Sequence, residues 1–65
     1  MVQANSTNSL PFQRRMELFH RLVVAQDYGM SVTEAREMLF HLYGADETQV
    51  VRIEQEGVEN NWPPL

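Results

Sequence analysis

The chain contains no cysteine, so disulfides and thiolate metal sites are excluded, and a reducing compartment suits it. No apolar run approaches the length of a membrane span, and the N-terminus lacks the basic-then-apolar pattern of a secretion signal. The expectation is a soluble cytoplasmic protein. Positive charge is scarce: five Lys and Arg residues stand against nine Asp and Glu, for a formal net charge of −4. Also missing are a glycine-rich phosphate loop and a nucleophile elbow. His20 and His41 lie far apart and form no ligand pair of helical spacing. The pairs Glu34/Glu37 and Glu54/Glu56 read as solubility and capping residues rather than acid and base partners. These absences argue against an enzyme and predict no cofactor, no metal and no small-molecule substrate.

With 65 residues the chain makes at most one small domain. Such a domain buries only about 60% of the surface of its unfolded chain, which makes a protein partner or homo-oligomer an expected source of further stability.

The informative stretch runs from Met30 to Val58. Ser31 and Glu34 have the spacing of a reciprocal capping box, and Val32, Ala35, Met38, Leu39 and Leu42 follow at helical intervals. Gly44 is placed to end that helix in a left-handed conformation. Two residues later Asp46 and Gln49 form a second box. Asp46 and Glu47 sit at the positive end of the next helix dipole, Val50 and Ile53 give the inward edge, and Gly57 reads as the stop with Val58 covering the end. So short a link predicts a steep crossing of the helix-turn-helix kind.

Upstream, Phe12, Met16, Phe19, Leu22 and Val23 fall on a helical stripe that Gly29 terminates. Ser9 or Asn8 is the expected cap, with Pro11 tolerated in the first turn. The expectation is an all-α, small three-helix domain of helix-turn-helix type with an extended C-terminal tail. Its helices lie near 10 to 28, 32 to 43 and 47 to 56. The organisation is a disordered polar arm over 1–8, the helical domain over 9–58 and a Trp/Pro tail over 59–65. Asn5-Ser6-Thr7, formally a glycosylation acceptor, belongs to the arm. The expected core is Phe12, Met16, Phe19, Val23, Ala35, Met38, Leu39, Leu42, Val50, Ile53 and Trp62. In the tail, Pro63 and Pro64 favour a polyproline conformation. Trp62 and Leu65 either fold back onto the core, the favoured reading, or form a docking peptide.

The run Gly29-Met30-Ser31, Glu34-Ala35, Leu42-Tyr43-Gly44 and Thr48-Gln49-Val50-Val51-Arg52-Ile53-Glu54 resembles the helix-turn-helix of bacterial sigma factors, in their promoter-binding region 4, and of related small regulators. The likeness spans roughly half the chain. It implies a transcription-related regulator that reads DNA through the helix after Gly44. The segment from Ala35 to Gly44 is longer than the family's helix, and the recognition helix lacks the family's basic residues. A weaker similarity, on Met30-Ser31, Ala35, Leu39, Leu42-Tyr43 and Trp62, is to the small phycobilisome-degradation adaptors of cyanobacteria. That family's basic, methionine-rich stretch is absent here, and Gly44 interrupts a helix that it continues.

The residues expected to face DNA are Thr48, Gln49, Val51, Arg52 and Gln55: Arg pairs with guanine, Gln with adenine, and Val51 suits a thymine methyl. A solvated helix face is the alternative for all five. Charge opposes the DNA reading. Residues 1 to 33 carry three Arg against Glu17 and Asp27, for +1, while residues 34 to 65 carry two Arg against seven carboxylates, for −5. Non-specific DNA binding is almost wholly electrostatic, so a lone module should bind weakly. The second function class is therefore an acidic protein-interaction adaptor without DNA affinity. Leu18, Val24 and Phe40, off the expected core faces, together with Trp62 and Leu65, are its expected partner-facing residues.

Overall fold

The computed structural model describes residues 10–65 and contains three helices: α1 (Phe12–Asp27), α2 (Val32–Tyr43) and α3 (Glu47–Glu59). The expectations for the arm over 1–8, for Asn5-Ser6-Thr7 and for a cap at Asn8 or Ser9 lie outside the described residues. Helix α1 packs on both α2 and α3, and the α2/α3 contact is the slightest of the three. Among the described residues no helix is long and apolar enough to cross a membrane.

Both capping boxes form. The Ser31 hydroxyl accepts from the Glu34 backbone N–H at 3.1 Å while the Glu34 carboxylate accepts from the Ser31 N–H, and Asp46 and Gln49 repeat the exchange at 2.9 and 3.2 Å. Each satisfies two N–H groups that helix geometry leaves without partners, and losing such a cap costs about 1 kcal/mol. Helix α1 starts directly after Pro11, which itself occupies the cap position without a side-chain bond.

All three helices terminate through a residue of positive φ. At α1 this is Gly29 (φ 94), with Met30 N–H donating to the Ala25 carbonyl and Gly29 N–H to that of Gln26. This is the paired bonding of a Schellman end. At α2, Gly44 (φ 69) makes the simpler single bond to Phe40. At α3 the terminator is Asn61 (φ 57), with Trp62 N–H reaching the Gly57 carbonyl at 2.9 Å. Gly57 is therefore not the stop expected from the sequence. It lies inside α3, where a Cβ would run into the ring of Phe19. Helix α3 accepts a poor helix former there because only hydrogen lets α1 approach so closely. Val58 does not cover the helix end either. It is exposed, and Trp62 takes that place.

The core is Leu18, Phe19, Leu22, Ala25, Ala35, Leu39, Ala45, Val50, Ile53 and Trp62, with Met16, Val23, Met38 and Tyr43 packed at its margin. Trp62 meets Phe19 and Phe12 edge-on, at ring-centroid distances of 6.0 and 5.5 Å. The tail thus folds back and supplies core, and the proposed docking role of Trp62 is corrected by its burial. Beyond it Leu65 N–H donates to the Trp62 carbonyl at 3.0 Å, a tight turn in place of the extended polyproline run.

Three residues are misplaced by the periodicity, two expected in the core and one expected outside it. Phe12 and Leu42 are about half exposed, and Leu18, expected to face a partner, is completely buried. The cause is that α1 has a neighbour on each side. A helix packed against one partner buries a single stripe, whereas α1 buries Phe19 toward α3 and, on an adjoining stripe, Leu18, Leu22 and Ala25. In α2 the inward arc is turned toward Tyr43, whose hydroxyl accepts from Arg21 Nε at 2.8 Å, and Leu42 is carried outward.

Candidate functional site

Two surfaces carry features beyond what the fold needs. The first is the outer side of α3. The joint before it consists of Gly44, Ala45 and Asp46, three residues between Tyr43 and Glu47. Its glycine turns the chain, Ala45 is buried beneath the turn, and Asp46 opens the next helix. From there Thr48, Arg52 and Gln55 recur at intervals of four and three, all exposed, with Val51 half-buried alongside. Gln49 does not join them. It is 5% exposed and its side-chain oxygen is held by the Asp46 N–H, so its assignment to a DNA-facing set is corrected. The same amide that completes a capping box cannot also reach a base edge.

The electrostatics of that surface are set by where the arginines go. Arg15 grips Glu56 with two bonds, at 3.0 and 3.2 Å, and donates to the Leu10 carbonyl. Arg14 and Arg21 both meet Glu17, at 3.3 and 3.8 Å, and Arg36 bridges Glu47 at 3.0 Å and Glu54 at 3.9 Å. Among the described residues Arg52 is the arginine without a carboxylate partner. Each pair is worth at most about 1 kcal/mol at such exposures, yet together they neutralise most of the positive charge the chain has. The Nε of Arg36 is itself buried without a hydrogen-bond partner.

The second surface is a groove of about 810 Å³ where the end of α1 faces the beginning of α2. Val24, Ala25 and Met38 line it, and Tyr28 and Met30 stand at the turn between the helices. Tyr28 is 87% exposed and Met30 36%. Of the expected partner-facing residues, Val24 is half-buried on this groove. Phe40 is exposed on a different opening with Thr33, Glu37 and His41, its ring 5.7 Å from that of His41, and Leu65 is exposed at the end of the tail. The structure does not bring these three together. Tyr28 and Met30 were not expected as site residues. Their signal in the sequence was two large apolar side chains flanking Gly29, where a turn ordinarily carries polar residues.

Further along the same seam, burial raises the Tyr43 phenol above its ordinary range, against the opposing pull of the Arg21 guanidinium that donates to it. Among the described residues no group of three or more His, Cys, Asp or Glu side chains is arranged to hold a metal ion.

No protein-family model matches the chain, no curated protein is similar enough to count as a match, and comparison with solved structures likewise returned none.

Proposed function

We propose that this protein is a non-enzymatic helical interaction module, with a protein partner as its ligand and the cytoplasm as its location. The observation that carries the reading is the disposition of charge. Four of five arginines are matched to carboxylates inside the fold, leaving an acidic surface with one free guanidinium at Arg52. A duplex offers phosphates, and affinity for them comes from releasing counterions with a log–log salt slope of about −0.9 per phosphate neutralised. Proteins that bind through 6 to 10 such contacts have slopes of roughly −5 to −9, whereas Arg52 alone supports about −1. Exposed apolar side chains on an acidic background suit a protein partner better.

A second reading, the sigma-like regulator, is favoured by a separate observation. The Gly44-Ala45-Asp46 joint has the length and the glycine of a helix-turn-helix turn, and the stripe Thr48, Val51, Arg52 and Gln55 faces away from the core with its arginine uncommitted. In that reading DNA binding is weak alone, and an oligomer or partner supplies the missing cations.

Fluorescence anisotropy of the full chain with mixed-sequence duplex DNA across a salt series, alongside sedimentation, decides between them. The interaction module is expected to leave the duplex free at physiological salt. Saturable binding with a steep salt slope would transfer the function to α3, and there Arg52→Ala should then cost about 1 to 3 kcal/mol of affinity.

A further inference from the structure

Resting on the interaction reading, we propose that the groove between α1 and α2 accepts a basic amphipathic helix of a partner protein, its apolar side seated on Val24, Tyr28, Met30 and Met38. The volume of about 810 Å³ lies within the roughly 300 to 1,000 Å³ of pockets that enclose a ligand-sized apolar group. That is room for the side chains of a couple of helical turns, and not for a helix cylinder, so the partner lies across the opening. Two methionines in the lining suit this use, because unbranched thioether chains repack around varied shapes. A helix lying in a groove is recognised through anchors at i, i+3, i+4 and i+7.

Charge selects the partner's polar side. Arg21 reaches the groove with its guanidinium already engaged by the Tyr43 hydroxyl and Glu17. Glu34 also lines it, its carboxylate bonded to the Ser31 N–H and to no arginine. His20 and Glu17 line it too, Glu17 already shared by Arg14 and Arg21, so the carboxylate that the groove leaves unmatched is that of Glu34, on a chain of net charge −4. Lys and Arg flanking an apolar helix face complement it, and acidic flanks are repelled.

The opening around Phe40 also carries carboxylates, from Glu37, Asp46 and Glu47, but its apolar lining is Phe40 and Ala45 alone, too little to seat successive anchors of a helix.

The test uses the full chain with a synthetic helical peptide of about 18 residues, leucines at i, i+3, i+4 and i+7 and lysines on both flanks, against a twin with glutamates for lysines. Amide chemical-shift mapping should show saturable binding of the lysine peptide centred on Val24, Tyr28, Met30 and Met38, and none of the twin. Tyr28→Ser should weaken it by about tenfold with the melting curve unchanged, since an exposed side chain holds up none of the core. Glu34→Gln preserves the capping box while removing the charge, and should weaken it severalfold with a shallower salt dependence. Equal binding of both peptides, shifts centred on Phe40 or on the outer side of α3, or no binding would overturn the groove assignment while leaving an interaction role elsewhere. Concentration-dependent broadening of the same four residues without peptide would overturn it in favour of a second copy. Steep-salt duplex binding through α3 with neither peptide bound would remove the interaction reading as well.

Discussion

The two seams of α1 are finished differently. Toward α3 the seam is tightly filled, with a small opening of about 170 Å³ beside Arg15 and Arg52: Gly57 admits the Phe19 ring, Trp62 caps both, Phe12 lies edge-on to the indole, and Arg15 ties down Glu56. Toward α2 the seam is bonded through Arg21 and Tyr43, then opens into a groove at Val24, Tyr28, Met30 and Met38. A domain this small has few apolar residues to spend on stability, so large apolar side chains held outside the core are the ones with another use to explain. The closed seam holds the fold together, and the open one is where substitutions should be tolerated by the fold and felt by a partner.

The sharpest way to break that comparison is at Trp62. Replacing it with alanine removes an indole that is 6% exposed and in contact with two aromatic rings, and truncations of this size cost about 3 to 5 kcal/mol. Domains below 70 to 80 residues rarely hold more than about 3 to 5 kcal/mol from their core, so Trp62→Ala should leave most of the chain unfolded at room temperature by circular dichroism. A cooperative melt close to that of the parent would show that the tail is an accessory and that the seam closes without it.

Gly57→Ala sharpens the same point with one methyl group. Helix propensity alone favours alanine by about 1 kcal/mol. Against this, the new Cβ meets the ring of Phe19, which is fully buried and has no room to retreat, and overpacking of this kind costs about 1 to 3 kcal/mol. The expected result of chemical denaturation is a net loss of up to about 2 kcal/mol. A gain in stability would mean that α1 and α3 can separate slightly without harm.

These two residues also mark where the sequence was readable. The local devices were plain: Ser31/Glu34, Asp46/Gln49, Gly29 and Gly44 each act within four residues of themselves, and each forms as its spacing implies. Gly57 misled because a lone glycine near the end of an apolar period looks like a stop. Its actual reason lies in Phe19, 38 positions earlier, and appears only when the helices meet. The true terminator was signalled by Asn60-Asn61 ahead of Trp62-Pro63-Pro64, since asparagine tolerates the left-handed region and proline commonly follows it. The bond from Arg15 to Glu56 spans 41 residues and has no local signature. For the candidate site, the exposed stripe of Thr48, Arg52 and Gln55 followed from periodicity alone, while Gln49 was miscounted because its capping and outward roles exclude each other. The groove went unseen because it belongs to the phase between two helices, and a small error in the phase of α1 put Leu18 outside and left Tyr28 and Met30 unremarked.

The smallest expected effect lies at the bonded part of the α1/α2 seam and is visible only in alkali. Burial lifts the Tyr43 phenol above its ordinary value, so the folded chain holds that proton to higher pH than the unfolded chain does. Where the folded state binds more protons than the unfolded state, stability falls as pH rises. The contribution is therefore fully present below the unfolded value of about 10, and is lost between there and the higher folded value. Denaturant midpoints followed upward from neutral pH should stay level and then decline above about pH 10, and the chain's lack of lysine removes the commonest competing titration in that range. Tyr43→Phe should remove the part of the decline that comes from this hydroxyl, at the cost of the bond from Arg21, worth about 1 kcal/mol at neutral pH. A decline unchanged in the variant would assign the alkaline sensitivity elsewhere, whereas the share of the Arg21–Tyr43 bond in holding α1 against α2 is read from the loss of stability at neutral pH.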